Sequence, residues 1–311
     1  MEDYSFYERT PADAITDFEL SLFNTPHYLF LGAPEGWITF YALHNRHQRI
    51  DALVHVHLTD GVARSPVKAP FGGVEYAGGV SPLILFQFLE FVESRLRSMG
   101  ATSWTIKSPT FHYQESSLSL LHVFLLNRGF AVADAEVGCT IDLHEDFLKN
   151  IDTWEHRKLR QAEEAGVQFR TLPTVQLDEI YLFILACRKR KNYALSMTLQ
   201  EVRQVVEQFP DRYLLCGCYL EGNLIAAAIV VHVNSRVLYN FYSDHDTAFD
   251  HISPVVFLIR SLVRYGGQKM FRWLDLGTAA QDNLPNFGLL DFKLRLGGKP
   301  AEKLTFRKSL A

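Results

Sequence analysis

The chain has 311 residues, 48% apolar and 13% aromatic, enough for a sizeable core and, by length, about two domains. A formal net charge of −4 and an isoelectric point near 6.3 argue against a broad electrostatic grip on nucleic acid, and so against DNA as a partner. The longest uncharged apolar run, Leu224 to Val233, is too short to span a bilayer, and the acidic start Met1-Glu2-Asp3-Tyr4 lacks an export signal, so the chain is expected to be cytoplasmic without membrane insertion.

After an irregular, Pro-punctuated start, strand-like runs cover Gly36 to Leu43 and Arg49 to Leu58, and an extended stretch from Pro66 to Ala77 completes an antiparallel meander. Gly78-Gly79-Val80-Ser81-Pro82 then opens a helix to about Met99, with Ser at the N-cap and Pro at the first helical position. A strand at Ser103 to Lys107, a helix from about Glu115 to Asn127 and extended chain from Val132 to Leu143 follow. The order is that of an α/β unit on a mixed sheet.

A second unit begins near Asp152, whose spacing to Glu155 is that of a capping box, and Gly166 ends that helix. A helix from about Leu177 to Arg190 ends in the cations Arg188-Lys189-Arg190-Lys191, which suit a helix C-terminus. Thr198 and Glu201 form a second capping box, and Pro210 ends the helix they begin. Strands at Arg212 to Leu220, Leu224 to Val233 and Arg236 to Ser243 make a second meander. Ser253-Pro254 opens another helix, followed by the strand at Trp273 and a helical stretch from about Gly288 to Leu296. The second unit thus repeats the order of the first, with the two Ser-Pro starts 172 residues apart (253 − 81).

A meander followed by helix, strand and helix resembles the GCN5-related N-acetyltransferase (GNAT) superfamily, and Leu125-Leu126-Asn127-Arg128-Gly129-Phe130 looks like that family's helix-to-strand ending. The helix Trp154-Glu155-His156-Arg157-Lys158-Leu159-Arg160-Gln161-Ala162-Glu163-Glu164-Ala165-Gly166 is similar to the basic helix of the Fem-type transferases, tandem GNAT-like proteins that build peptidoglycan cross-bridges from aminoacyl-tRNA. Phe292-Lys293-Leu294-Arg295-Leu296-Gly297 resembles their Phe-Lys element. The resemblance implies an α/β (α+β) fold of two tandem GNAT-like (acyl-CoA N-acyltransferase) domains, residues 1–150 and 151–311, each a mixed twisted sheet flanked by helices, with the transfer site in the second. It implies an acyl- or aminoacyltransferase that forms an amide on a small or cell-wall-precursor-like amine, by direct transfer from acyl-CoA or aminoacyl-tRNA and without a tightly bound cofactor. The alternative is a GNAT-fold binding or scaffold protein that has lost catalysis.

The resemblance carries the transfer-site role to Phe292 and Lys293, and an ammonium there would stabilise an oxyanion and a leaving group. Amide formation also needs a proton acceptor, for which Asp244, Asp275 and Glu75 are candidates; Glu75 is a loose positional match to an acidic residue of the Fem pattern. Asn240 and Tyr242, on the strand that ends at Ser243, are expected to touch substrate, and Tyr242 shares a strand face with Asp244. Arg157 and Arg160 would suit a phosphate or carboxylate, although such clusters are commonly solvated faces. Gly78, Gly79, Ser81 and Ser253 mark the two helix starts where a donor's anionic group could rest. Neither start has the acetyltransferase Q-x-x-G-x-G/A loop, and the acidic run Asp244-His245-Asp246-Thr247-Ala248-Phe249-Asp250 before Ser253 is expected to repel a pyrophosphate. His55 and His57 share a strand face without a third ligand, and Cys216 and Cys218 read as core thiols, so no metal site is expected.

Overall fold

A computed structural model describes residues 3–10, 12–13, 15–281 and 284–311, without the side chains of 115 and 116. In chain order the elements are β1 (Tyr4–Arg9), α1 (Pro26–Gly32), β2 (Trp37–His44), β3 (Arg49–Thr59), β4 (Val62–Ser65), β5 (Val74–Tyr76), α2 (Pro82–Ser98), β6 (Ser103–Lys107), α3 (Glu115–Asn127) and β7 (Ala131–Asp142). Then come α4 (Phe147–Asn150), α5 (Thr153–Glu164), β8 (Gln168–Leu172), α6 (Leu177–Arg190), α7 (Leu199–Gln208), β9 (Tyr213–Leu220), β10 (Asn223–His232), β11 (Val237–His245), α8 (Pro254–Gln268), β12 (Trp273–Thr278), β13 (Ala280–Gln281), β14 (Leu284–Pro285), α9 (Phe287–Arg295) and β15 (Lys299–Ser309). Among the described residues no helix is long and apolar enough to cross a membrane.

The chain divides into two units: Met1–Glu136 with Glu302–Ala311, and Val137–Ala301. This division differs from a boundary at 150/151 because two strands run from one unit into the other. β7 ends in the second unit, where Gly138 to Asp142 pair with β12, and β15 ends in the first, where Thr305 to Ser309 pair with β6.

In the first unit the strand order is β1-β2-β3-β4-β6-β15, antiparallel except for β4 against β6, with β5 added to β3. The single extended stretch expected from Pro66 to Ala77 is instead an irregular connection followed by the short β5, while β4 lies before it. One face of α2 supplies Leu85, Phe88, Leu89, Val92 and Leu96, all without exposed surface, to a core with Trp104 and Phe306. Each such side chain contributes on the order of 2 kcal/mol through burial.

The second unit has the order β7-β12-β11-β10-β9-β8, antiparallel except for β11 against β12. Its own core joins Cys139 and Ile141 to Val230, Leu238, Leu258, Leu262 and Leu274. Thr198 and Glu201 form the complete capping box. Asp152 caps α5 through the N–H of Trp154 at 2.7 Å, but Glu155 turns into the protein and does not complete a box. β1, α1, β8 and β15 extend the expected element list. In both units a meander, a parallel neighbour reached through a helix, and a further helix appear in the same sequence.

Candidate functional site

The sheet of the second unit opens at one place. β11 and β12 pair only through Val237 with Trp273, Leu238 with Leu274 and Tyr239 with Asp275, after which both strands continue unpaired to each other. Beyond the split lies a cavity of about 810 Å³, within the range of small-molecule sites. Its walls come from β11 (Tyr239 to Phe241 and Ser243 to His245), β12 (Leu276 to Thr278), the start of α8 (Ser253, Val255, Val256) and α9 (Leu289, Phe292, Lys293).

A bulge decides what β11 presents. Ile229 of β10 lies opposite Tyr242 and Val230 opposite Asn240, so Phe241 is an extra residue. Before it, Leu238 packs on Gly266 of α8. After it, Tyr242 and Asp244 face the other way: the Tyr242 hydroxyl pairs with Ser196 Oγ at 2.6 Å and accepts the Met197 N–H at 2.9 Å, and Asp244 meets Lys191 and Arg188. Without the extra residue the pleat would keep Leu238, Tyr242 and Asp244 on one face. The shared face of Tyr242 and Asp244 matches the strand parity, but Tyr242 is buried in these contacts and does not line the cavity.

Asp244 is 7% exposed and accepts from Lys191 Nζ at 2.6 Å and the His245 N–H at 2.7 Å, with Arg188 Nε at 3.3 Å. Burial alone would raise its pKa, but hydrogen bonds from His245 and Lys191 outweigh that and hold the carboxyl near 2. Asp246 is held by Arg190 at 2.8 Å and Asp250 by His245 Nε2 at 2.6 Å. Asp244 and Asp246 of the acidic run before Ser253 are therefore paired with the cations that end α6, and Asp250 with His245, so the run is not a set of bare carboxylates.

Lys293 is 6% exposed, and its Nζ donates to the carbonyls of Gly277 at 2.9 Å and Thr278 at 2.8 Å. The ammonium is thus fixed to the free end of β12, where Gly277 turns with φ +75° and donates its N–H to Asp275. Phe292 precedes it in the wall of the cavity, and α9 is capped by Asn286 through the Leu289 N–H at 3.0 Å. Ser253 also lines the cavity. It sits in the left-handed region, φ 49° and ψ 56°, and its side chain does not cap α8.

The structure therefore brings Asn240, Asp244, Ser253, Phe292 and Lys293 to one cavity. Arg157 and Arg160 are exposed on α5 and do not line it, although Lys158 between them does. Glu75, Gly78, Gly79 and Ser81 belong to the first unit. Glu75 is buried and accepts from the backbone N–H and hydroxyl of Ser21. Burial pushes its pKa up to about 7 against those hydrogen bonds. Gly78 and Gly79 are exposed, neither has a positive φ, and a Cβ on either would meet nothing within 4 Å. The backbone there makes no use of glycine, and Ser81 Oγ accepts from the Ile84 N–H at 3.3 Å.

Three further residues shape the site. Arg188 and Lys191 carry no sequence mark of their partnership with Asp244, more than fifty residues away; the run Arg188 to Lys191 reads simply as a complement to a helix dipole. Glu155, with no exposed surface, accepts from Lys158 Nζ at 3.2 Å and Arg295 Nε at 3.0 Å, tying α5 to α9. Among the described residues no group of three or more His, Cys, Asp or Glu is placed to hold a metal, and His55 Nδ1 is engaged by Thr39 Oγ1 at 2.7 Å.

Comparison with known proteins agrees with this architecture. Residues 154–293 match the model of the acetyltransferase (GNAT) domain. No characterised protein matches the chain significantly in sequence. Among solved structures, FemX superposes with a TM-score of 0.68 at 12% identity, over 93% of this chain and 92% of that one. L-PGS from Bacillus licheniformis superposes at 0.53 and 12% identity (82% and 80% of the two chains), and a tandem GNAT protein from the clavulanic acid biosynthesis pathway at 0.50 and 14% (88% and 83%). Residues 154–293 accordingly match the GNAT acetyltransferase domain, in a chain that has the GNAT fold.

Proposed function

We propose that the second unit is an acyl- or aminoacyltransferase that forms an amide on an amine acceptor by direct transfer from an activated donor. The observation that carries the reading is the split between β11 and β12 beside the uncapped start of α8, with a buried ammonium, Lys293, on its wall. A thioester or ester can enter such a split edge-on and lie against unpaired strand backbone, with its anionic end at a helix N-terminus. The likeness to FemX over 93% of the chain supports a Fem-like version.

In the proposed reaction the acceptor nitrogen attacks the donor carbonyl carbon. A C–N bond forms, the C–S bond of an acyl-CoA or the C–O bond of an aminoacyl ester breaks, and the leaving group takes a proton. Lys293 stabilises the tetrahedral oxyanion or the departing group. Asp244 has a different part from the one its type suggests. A carboxylate with a pKa near 2, already held by Lys191 and Arg188, is a weak base toward an alkylammonium near 10, so Asp244 positions those two side chains on the cavity wall and the ammonium proton passes to solvent. Donor and acceptor are of the classes named from the sequence: acyl-CoA or aminoacyl-tRNA, and a small or cell-wall-precursor-like amine.

Calorimetric titration with acetyl-CoA, longer acyl-CoAs and an aminoacyl-tRNA tests this. Saturable binding of one class, followed by amide formation with an amine, is expected. Failure of every donor to bind would replace the reading by that of a catalytically inactive GNAT-fold binding protein.

A further inference from the structure

The chain has four tryptophans, and three of them, Trp37, Trp104 and Trp273, are at most 7% exposed. Trp154, the second residue of α5, is 51% exposed. The Arg157 guanidinium lies over its ring at 3.9 Å from the centroid, and Lys158 Nζ at 6.0 Å. The Arg157 side chain is itself exposed, so both ring and guanidinium are open to solvent. Lys158 reaches from this ring into the wall of the cavity. Its position is not left to solvent: Glu155, without exposed surface, holds Lys158 Nζ at 3.2 Å and at the same time Arg295 of α9.

We propose that Trp154, Arg157 and Lys158 form a subsite for an adenosine carrying a phosphate, continuous with the cavity of the second unit. An exposed indole beside two cations matches a base that stacks and a phosphate that pairs. A simple carboxylate would have no use for the ring, and an apolar chain none for the cations. Adenosine phosphate is common to both donor classes: it is the nucleotide end of CoA and the 3′ end of tRNA. The two sources differ in reach, since pantetheine separates the adenosine of CoA from the reacting carbonyl, whereas the terminal ribose of aminoacyl-tRNA bears the ester itself. The inference rests on the reading of the second unit as a donor-binding transferase.

Intrinsic tryptophan emission of the full chain is to be titrated with ADP, UDP, CoA and a short RNA ending in cytidine-cytidine-adenosine, alongside calorimetry. ADP is expected to quench emission saturably and to bind more tightly than UDP. Trp154→Leu, an exposed change that leaves the core intact, should abolish the quench and weaken ADP about tenfold; Arg157→Ala should weaken it less. Quenching by CoA or by the RNA identifies which source the site serves. Equal affinity for ADP and UDP, or ADP binding unmoved in Trp154→Leu, overturns the subsite. A distinct outcome separates the subsite from the reading beneath it. If acetyl-4′-phosphopantetheine binds as tightly as acetyl-CoA and both ignore Trp154→Leu, the subsite falls while the transferase reading stands. If no donor of either class binds the unaltered chain, both fall.

Discussion

Ser81 and Ser253 begin α2 and α8 with the same Ser-Pro pair and with opposite backbones. Ser81 is extended, φ −66° and ψ 146°, and its Oγ accepts the Ile84 N–H, so the helix start is satisfied from within. Ser253 is left-handed and its Oγ donates to the Asp250 carbonyl, so the start of α8 faces the cavity without a side-chain cap. Around Ser81 two glycines stand exposed in an ordinary turn; around Ser253, Asp244 and Asp246 are held by cations of α6 and Asp250 by the His245 ring. One duplicated signature has become a closed structural corner in the first unit and an open helix terminus in the second. The proposed donor site thus uses the copy whose sequence looks less suited to an anion.

The strongest way to break this contrast is by activity. Lys293→Ala should lower kcat by about a hundredfold or more in an amide-forming assay with KM little changed, the effect of losing one electrostatic donor at an oxyanion. Glu75→Gln in the first unit should leave turnover near its original value. The reverse pattern, in which Glu75→Gln silences the protein and Lys293→Ala does not, would move the chemistry to the first unit.

The units also differ in the sign of their pH response. Glu75 has its pKa raised from 4.5 to about 7, so its contribution is fully present below the unfolded value and is lost as pH rises through 7. Asp244 has its pKa lowered from 3.8 to about 2, so its contribution is present above the unfolded value and is lost as pH falls toward 2. Glu75→Gln should stabilise the first unit at pH 8 by on the order of 3 kcal/mol and leave it unchanged near pH 4, measured as denaturation midpoints across pH. A parallel shift at both pH values would show that Glu75 is ionised throughout.

The helix starts, the second meander, the first two strands of the first and the helical setting of Phe292 and Lys293 are legible in the sequence because they depend on local patterns: Ser-Pro, Thr198 with Glu201, a polar turn between apolar runs, a Phe-Lys pair. What escapes is set by tertiary contact. The bulge at Phe241 has no local mark, yet it sends Asp244 to the face of Lys191. Glu155 stands where a capping-box acid would stand, and only its distance of 140 residues to Arg295 explains why it is buried. β15 is rich in charged residues, with Leu304 and Phe306 its only large apolar side chains, and becomes a strand through its pairing with β6.

Asp244 itself yields a smaller effect than Lys293. Because Asp244 positions Lys191 and Arg188 on the cavity wall, Asp244→Asn should raise substrate KM about tenfold and largely spare kcat, since a hydrogen bond to a charged group is lost and no proton transfer is. A collapse of kcat with a shifted pH profile would return it to the role of base.

The finest test uses the serines themselves, and it works on stability, so it holds whatever the donor is. Ser81→Ala removes an N-cap acceptor and should cost about 1 kcal/mol in denaturant unfolding. The same change at Ser253 removes no cap. Ser253→Gly should stabilise the chain by about 1 kcal/mol, because φ 49° costs a side-chain-bearing residue energy that glycine does not pay. Ser81→Gly should cost a few tenths, glycine being a tolerated but poorer cap in an extended backbone. Opposite signs for one substitution at two copies of one motif are what a satisfied corner and an open terminus require; equal signs would mean that the two starts share one conformation in solution.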